Sequence, residues 1–207
     1  MNRLLSFFVA LLLSSSLLAA PLNDSRVALQ KEWAHIKYEV DADQREKLLK
    51  QLAEESEEVL SQFQNSAEIM IWHAIILSTY AGEKGGLGAL GLVKEAKLLL
   101  EQSIEIDPTA LNGSAYTSLG SLYYQVPGWP IGFGSDKKAR QYLTKALEIN
   151  PNGIDSNFFY ADFLIEQKEK EQAKQVLEHA LQATARPGRE IADQGRREEI
   201  DSLMSKL

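Results

Sequence analysis

The strongest constraint on the fold is a pair of spaced motifs within residues 113–153. Residues 116–123 read Y-x2-LG-x2-Y, residues 139–146 read A-x3-L-x2-A, and Pro151 follows them. Small residues at this spacing let two antiparallel helices touch, while the tyrosines and leucines fill the space between them. A proline cannot continue the backbone hydrogen bonds of a helix, so it ends the second one. The segment therefore predicts a helix–turn–helix unit.

The second motif returns at a regular interval. It recurs at residues 173–180, which is 34 positions after Ala139, and with serine in the last place at residues 96–103. A 34-residue period is that of the tetratricopeptide repeat, and the chain resembles that superfamily over residues 22–207. The resemblance implies an all-α fold, a right-handed superhelix of antiparallel helix pairs that begins at a capping signal at residues 23–25. The predicted units of this single domain, residues 21–207, are a degenerate repeat at 24–66, repeats at 67–110, 113–153 and 154–187, and a capping helix at 189–206.

Residues 1–20 have the three regions of a secretory signal peptide. A positive charge at Arg3 precedes an apolar run at residues 4–13, and small residues follow. The apolar run is shorter than the ~20 residues that a membrane span needs. We therefore expect cleavage near Ala19 or Ala20 and a periplasmic location, with an uncleaved N-terminal anchor as the alternative.

Composition excludes several classes of function. The chain has 22 basic and 29 acidic residues, a net charge of −7 and no basic stripe, which argues against a nucleic-acid partner. It has no cysteine. Disulfides, thiolate metal sites, a cysteine nucleophile and a lipid-bearing N-terminal cysteine are therefore not expected.

Two glycine-rich segments interrupt the same point of adjacent repeats. The first, residues 81–91, is predicted to be a loop between helices, and the second is residues 127–134. The second contains Trp129, Ile131 and Phe133, which we regard as candidate contact residues. Their side chains either pack on the protein's own helices or face a solute, a partner or an identical subunit. A homo-oligomer is one of these possibilities.

The first helices of stacked repeats line a shared concave surface, which is where such arrays bind. We predict a binding groove from three rows of residues in register along these helices. The aromatic members could instead pack against neighbouring helices. The rows are His73, Thr117 and Phe158; Leu77, Ser121 and Asp162; and Tyr80, Tyr124 and Ile165.

Two short patterns match catalytic or cofactor motifs but fit helix boundaries better. Residues 86–91 match G-x-G-x-x-G, yet the apolar run before them has the period of a repeat helix rather than a strand. Residues 135–138 match S-x-x-K, and Ser135 or Asp136 at the start of a helical run reads as its cap. Neither pattern predicts a nucleotide or a nucleophile.

The titratable residues predict no catalytic or metal site. His35, His73 and His179 lie in separate predicted helices without a ligand spacing. Asp162 and Glu166 share one helix face, where carboxylates are usually solvated. We therefore expect no enzyme activity, no metal and no cofactor.

A narrower resemblance covers residues 126–167. The glycine-rich insertion at 127–134, Ala139 and the Pro-Asn-Gly turn at 151–153 resemble exported repeat proteins grouped with the T component of tripartite periplasmic (TRAP-type) transporters. That family is thought to assist periplasmic solute capture, and some members are lipoproteins that form trimers. The resemblance implies a non-enzymatic binding or adaptor protein with a solute, protein or peptide partner. The alternative is an envelope assembly or quality-control factor that binds peptide segments.

Overall fold

The structure is a computed structural model that describes the backbone of residues 6–207 and the side chains of residues 21–207. The predicted signal peptide, residues 1–20, therefore lies outside the described side chains. Residues 6–207 form nine helices and no strand. The helices are α1 (Ser6–Glu39), α2 (Ala42–Gln62), α3 (Ala67–Lys84), α4 (Gly86–Ile106), α5 (Ala110–Gln125), α6 (Asp136–Ile149), α7 (Ile154–Glu166), α8 (Lys170–Ala180) and α9 (Glu190–Met204).

Consecutive helices pack in pairs, as a repeat fold requires. The second helix of each pair buries the spaced motif, and Ala139, Leu143 and Ala146 of α6 have no exposed surface. The corresponding motif residues of α4 and α8 are equally buried: Ala96, Leu100, Ser103, Ala173, Leu177 and Ala180. Gly120 of α5 faces this motif, and a Cβ placed there would lie 2.5 Å from Cγ of Leu143. The predicted all-α repeat fold is confirmed.

Side-chain capping begins two of the helices where the sequence has serine. Ser66 Oγ accepts a hydrogen bond from the backbone N–H of Ile69 at 3.3 Å. Ser135 Oγ accepts one from the backbone N–H of Lys138 at 3.4 Å. The S-x-x-K pattern of residues 135–138 is thus the start of α6, as the capping interpretation has it.

The start of the first helix differs from the prediction. Helix α1 runs from Ser6 through Pro21 and continues past residues 23–25, so no helix begins at that capping signal. Asn23 Oδ1 accepts a hydrogen bond from Arg26 Nη2 at 2.6 Å instead of capping a backbone N–H. A side chain with capping potential does not end a helix whose backbone continues on both sides of it.

The first glycine-rich segment is not a loop, which corrects the prediction for residues 81–91. Helix α3 ends at Lys84 and α4 begins at Gly86. Gly85 and Gly86 have φ values of 62° and 61°, which allow the chain to reverse within about one residue. The following residues form the first turns of α4. The second segment, residues 127–134, forms a hydrogen-bonded turn at Gly128 but no helix, in keeping with its prediction as a loop.

The odd-numbered helices form a closed inner ring. Helix α1 contacts α3, α3 contacts α5, α5 contacts α7 and α7 contacts α9. Helix α9 then packs against α1 and completes the ring. The even-numbered helices pack outside the ring. A search of the described residues finds no helix whose length and apolar character would let it cross a bilayer.

Candidate functional site

A cavity of about 910 Å³ lies inside the ring. Every inner helix contributes to its wall, with Trp33 from α1, Trp72 from α3, Thr117 from α5, Phe158 from α7 and Arg196 from α9. A site built from five elements of one solenoid exists only because the last helix returns to the first. The volume falls within the range of about 300–1,000 Å³ that is typical of small-molecule sites.

The contact between α9 and α1 closes the cavity on one side. Gly195 of α9 is buried, and a Cβ at this position would overlap the ring of Tyr38 on α1. Glu199 of α9 binds two neighbouring residues of α1. Its carboxylate lies 3.0 Å from Lys37 Nζ and accepts from the Tyr38 hydroxyl at 3.3 Å. The closure therefore combines close helix approach with ion pairing.

An ion-pair network ties α7 to α9 at the same end of the cavity. Arg196 is buried, donates from Nε to Asp155 at 2.8 Å and donates from Nη1 to Glu199 at 2.6 Å. Its guanidinium also lies over the ring of Phe158, 4.2 Å from the centroid. Arg186 donates from Nη1 to the second oxygen of Asp155 at 2.7 Å. Asp155 thus binds two arginines at once.

The two arginines keep the Asp155 carboxylate of this network charged at neutral pH. Burial by itself would raise the pKa of Asp155, but Arg196 and Arg186 outweigh burial and hold this pKa below its ordinary value. Burial and Arg196 lower the pKa of Lys37, while Glu199 opposes both effects. Asp155 is consequently ionised across the physiological range.

Arg189 differs from the other arginines of the cavity. Its guanidinium lies over the ring of Trp72, 5.0 Å from the centroid. Within residues 21–207, no carboxylate lies within 4.0 Å of it, and its buried Nε has no hydrogen-bond partner. Burial and then the neighbouring Arg186 lower the pKa of Arg189. A half-buried cation without an anionic partner is unfavourable.

The opposite part of the cavity is apolar and reaches the surface. Leu90, Val93 and Leu122 contribute aliphatic side chains to the wall. The two glycine-rich segments meet at the rim, where Leu87 is 83% exposed and Ile131 is 58% exposed. One cavity therefore offers an arginine-rich end and an apolar end.

The structure brings part of the predicted groove into the cavity. Ile131 of the predicted loop set joins four groove residues in its wall. The other predicted residues lie elsewhere: Leu77 and Tyr80 are buried in helix packing, Tyr124 and Ile165 are partly buried, and His73 faces the outer helices. The four groove residues in the wall are Thr117, Ser121, Phe158 and Asp162.

His73 is a core residue of α3 that faces α2 and α4. It is 2% exposed, and its Nδ1 lies 2.7 Å from Ser56 Oγ. Its Nε2 lies 3.9 Å from a carboxylate oxygen of Glu95 on α4. Burial lowers the pKa of His73 to about 4, so the ring is neutral at physiological pH.

The predicted loop residues separate into two environments. Phe133 packs inward with its ring perpendicular to that of Tyr123, 5.5 Å between centroids. Trp129 is 91% exposed. The alternative of packing on the protein's own helices thus applies to Phe133, whereas the side chains of Trp129 and Ile131 are exposed.

The described residues hold no catalytic arrangement of the kinds considered from sequence. Across residues 21–207, no group of three or more His, Cys, Asp or Glu side chains could bind a metal ion. Residues 86–91 lie in the first turns of α4 and follow a helix, which does not fit a dinucleotide-binding strand–turn–helix. Asp162 accepts a hydrogen bond from the Tyr124 hydroxyl at 2.6 Å and so has a structural partner.

Sequence reasoning missed the arginine end of the cavity. The charged residues of a capping helix, as predicted for 189–206, are expected to face solvent, but Arg196 is 3% exposed. Arg186 lies near the end of the predicted repeat at 154–187, where no sequence pattern indicates a site. A run of charged residues has the same sequence pattern whether it is exposed to solvent or paired with carboxylates of another helix. The sequence therefore does not distinguish the two cases.

Comparisons with known proteins support the repeat assignment in the C-terminal third. A sequence model of the tetratricopeptide repeat family matches residues 137–207. The chain is also similar to a solved structure described as "Functional Characterization of Pseudomonas Aeruginosa pilF", at 16% identity over 90% of this chain and 93% of that chain, with a TM-score of 0.37. No curated protein matches the chain. Tetratricopeptide repeats imply a binding or adaptor role with protein partners, and proteins of that family are generally non-enzymatic scaffolds.

Proposed function

We propose that this protein is an exported, non-catalytic binding protein that holds a small organic ligand in its central cavity and passes it to, or presents it to, a protein partner. The observation that carries this proposal is the packing of α9 on α1, which turns a concave repeat surface into a cavity of about 910 Å³. An accessory role in solute uptake fits both this cavity and the predicted signal peptide at residues 1–20.

The closed ring favours a small ligand over an extended peptide. Peptide-binding repeat scaffolds use an open groove in which an extended chain can lie. Here, α9 closes the concave surface, because its Arg196 contacts α7 and its Glu199 contacts α1. A compact ligand can enter at the rim formed by Leu87 and Ile131 without crossing this contact.

The exposed side chains beside the rim support a protein partner. Trp129 is 91% exposed and Leu87 is 83% exposed, and both lie in the glycine-rich segments. Large apolar side chains that water surrounds are characteristic of contact surfaces. A partner seated there would stand next to the entrance of the cavity, where a transferred ligand must pass.

Purification from the periplasm of the source organism tests the proposal. Native mass spectrometry should show the chain with an additional mass of a small molecule, which denaturation releases. N-terminal sequencing should begin near Ala20 or Pro21. A cellular protein that retains Met1, or one that carries no small molecule under any growth condition, would contradict it.

A second candidate is an envelope assembly factor that binds peptide segments. The tetratricopeptide match over residues 137–207 favours this alternative, because such repeats commonly bind proteins. The same purification separates the two functions. A co-purifying protein that binds equally well to a variant with a filled cavity, such as Ser121→Trp, would support the assembly factor.

A further inference from the structure

We propose that the ligand is an organic anion, with a carboxylate or phosphate group bound by Arg189 and an apolar part that lies against the aliphatic wall of the cavity. This inference rests on the proposed function, because it defines the ligand class of the same cavity. Three features of the cavity support it: the charges at the α9 end, the contacts of Arg189 and the composition of the wall.

The charges at the α9 end of the cavity do not balance. Lys37 pairs with Glu199, Arg196 pairs with Asp155 and Glu199, and Arg186 pairs with Asp155 and Asp193. These three cations therefore use all three carboxylates. Arg189 adds a fourth cation, so this cluster carries an excess of one positive charge in a chain whose net charge is −7.

The acidic groups near Arg189 are already engaged. Asp155 and Asp193 are the carboxylates that favour its charged form, and both accept hydrogen bonds from other arginines. Glu190, the next residue along the chain, accepts from the backbone N–H of Gly188. Two other acidic residues of the wall, Glu83 and Asp162, form no ion pair with Arg189, and Asp162 accepts a hydrogen bond from the Tyr124 hydroxyl at 2.6 Å. The excess positive charge therefore belongs to the α9 end and not to the wall as a whole.

Arg189 has the form of an anion-binding residue. Its guanidinium carbon lies 5.0 Å from the centroid of the Trp72 ring, and the buried Nε has no hydrogen-bond partner in residues 21–207. A planar guanidinium can donate two parallel hydrogen bonds to a carboxylate or a phosphate. Such an anion would give the guanidinium a partner and neutralise the excess charge in one contact.

The rest of the wall favours a ligand that has an apolar part. Leu90, Val93 and Leu122 line the cavity together with the ring of Phe158. Burial of aliphatic surface contributes about 25 cal/mol per Å². A simple inorganic anion would leave this wall in contact with water, whereas an organic anion with an apolar chain would cover it.

Calorimetric titration with four probes that share a ten-carbon chain tests the assignment. The probes are decanoate, decyl phosphate, 1-decanol and decylammonium. At least one of the two anions should bind about 10- to 100-fold more tightly than 1-decanol, as expected for charge-assisted hydrogen bonds. Decylammonium should bind most weakly. The tighter anion identifies the ligand group as a carboxylate or a phosphate.

The variant Arg189→Met keeps the length of the side chain and removes its charge. It should weaken anion binding by about 10- to 100-fold and leave 1-decanol binding unchanged. Arg189→Lys should retain part of the preference for the anion. Arg140→Met is the matched control, because the Arg140 guanidinium also lies over an aromatic ring, 4.9 Å from the centroid of Phe163, outside the cavity wall.

The outcomes separate this inference from the proposed function. If 1-decanol binds as tightly as both anions, the cavity is a ligand site and the anion assignment is overturned. If the anions bind but Arg189→Met binds them equally well, Arg189 is not the anion-binding residue. If no probe binds and the native protein carries no small molecule, both proposals fail. Circular dichroism and melting curves of each variant establish that it is folded.

Discussion

Replacing Gly195 with alanine perturbs the contact that closes the ring. A Cβ at this position would overlap three atoms of the Tyr38 ring, and even the farthest of them lies only 2.5 Å away. Ordinary Cβ contacts begin near 3.4 Å and the nearest ring atom lies at 2.2 Å, so the ring or the helix must move by about 1.2 Å. The ring is held in place, because its hydroxyl donates to Glu199 and it packs perpendicular to the ring of Trp33, with 5.9 Å between centroids.

The magnitude follows from two opposed effects. In an exposed helix, replacing glycine with alanine raises the free energy of unfolding by about 0.5–1 kcal/mol, because the unfolded chain loses freedom. Overpacking in a buried contact costs about 1–3 kcal/mol. At Gly195, the second effect is the larger one. We therefore expect Gly195→Ala to lower the free energy of unfolding by about 0.5–2 kcal/mol.

Gly91→Ala is the matched control. Gly91 lies in α4, is exposed, and has no atom within 4 Å of a Cβ placed on it. This change should raise the free energy of unfolding by about 0.5–1 kcal/mol. The combination of Gly195→Ala with Tyr38→Val, which removes the ring, should recover part of the loss.

Urea unfolding followed by circular dichroism measures both variants. The two alanine substitutions should shift the midpoint in opposite directions. Equal stabilisation by both would show that α9 does not pack on Tyr38, and the closed cavity would be refuted along with it. Loss of bound probe in Gly195→Ala alone would link closure of the ring to ligand binding.

Three further predictions concern the core, the pH response and the second loop. Gly120→Ala should lower the free energy of unfolding by about 1–3 kcal/mol in urea titrations, because its Cβ would meet Leu143; an unchanged midpoint would contradict the packing. Because burial lowers the pKa of His73 to about 4 from 6.5, the unfolded chain binds more protons between these values. The free energy of unfolding should therefore fall by about 1–2 kcal/mol from pH 7 to pH 5, and His73→Gln should remove this dependence when unfolding is repeated at each pH. Phe133→Ala should lower the melting temperature by several degrees while Trp129→Ala leaves it unchanged, and equal effects in calorimetry would contradict their different burial.

The repeat motif predicts the parts of the fold that depend on local packing. Ala139, Leu143 and Ala146 follow a spacing that has a structural purpose only when a second helix approaches closely, and Gly120 supplies that approach. Small and large residues at fixed intervals specify which helix faces touch. For this reason, the helix pairs and the close contacts could be predicted from the sequence alone.

Glycine content predicted the secondary structure less well than the repeat motif did. Residues 81–91 contain five glycines and look like a loop, yet Gly85 and Gly86 alone make the turn and the remainder is helical. Alanine and leucine between the other glycines keep enough helical preference when α3 and α5 provide packing. The composition of this segment permits either a loop or a helix, and tertiary contacts decide between them.

The closure of the ring depends on contacts that a repeat period does not encode. Each repeat unit specifies its packing on the next unit, and small rotations between units add up along the chain. Whether α9 meets α1 depends on the sum of these rotations over all units. The predicted groove rows therefore include residues such as Leu77 and Tyr80 that the actual curvature directs into helix packing.

The charges at the closure have a consequence for its stability. Buried ion pairs often contribute little net stability, because removing both ions from water costs nearly what their attraction returns. Arg196 and Asp155 therefore fix where α9 docks more than how tightly it docks. The same arginines leave Arg189 with an excess of positive charge beside Trp72, so that an anion in the cavity would stabilise the closed ring. Ligand binding and ring closure are then linked equilibria, and each should strengthen the other.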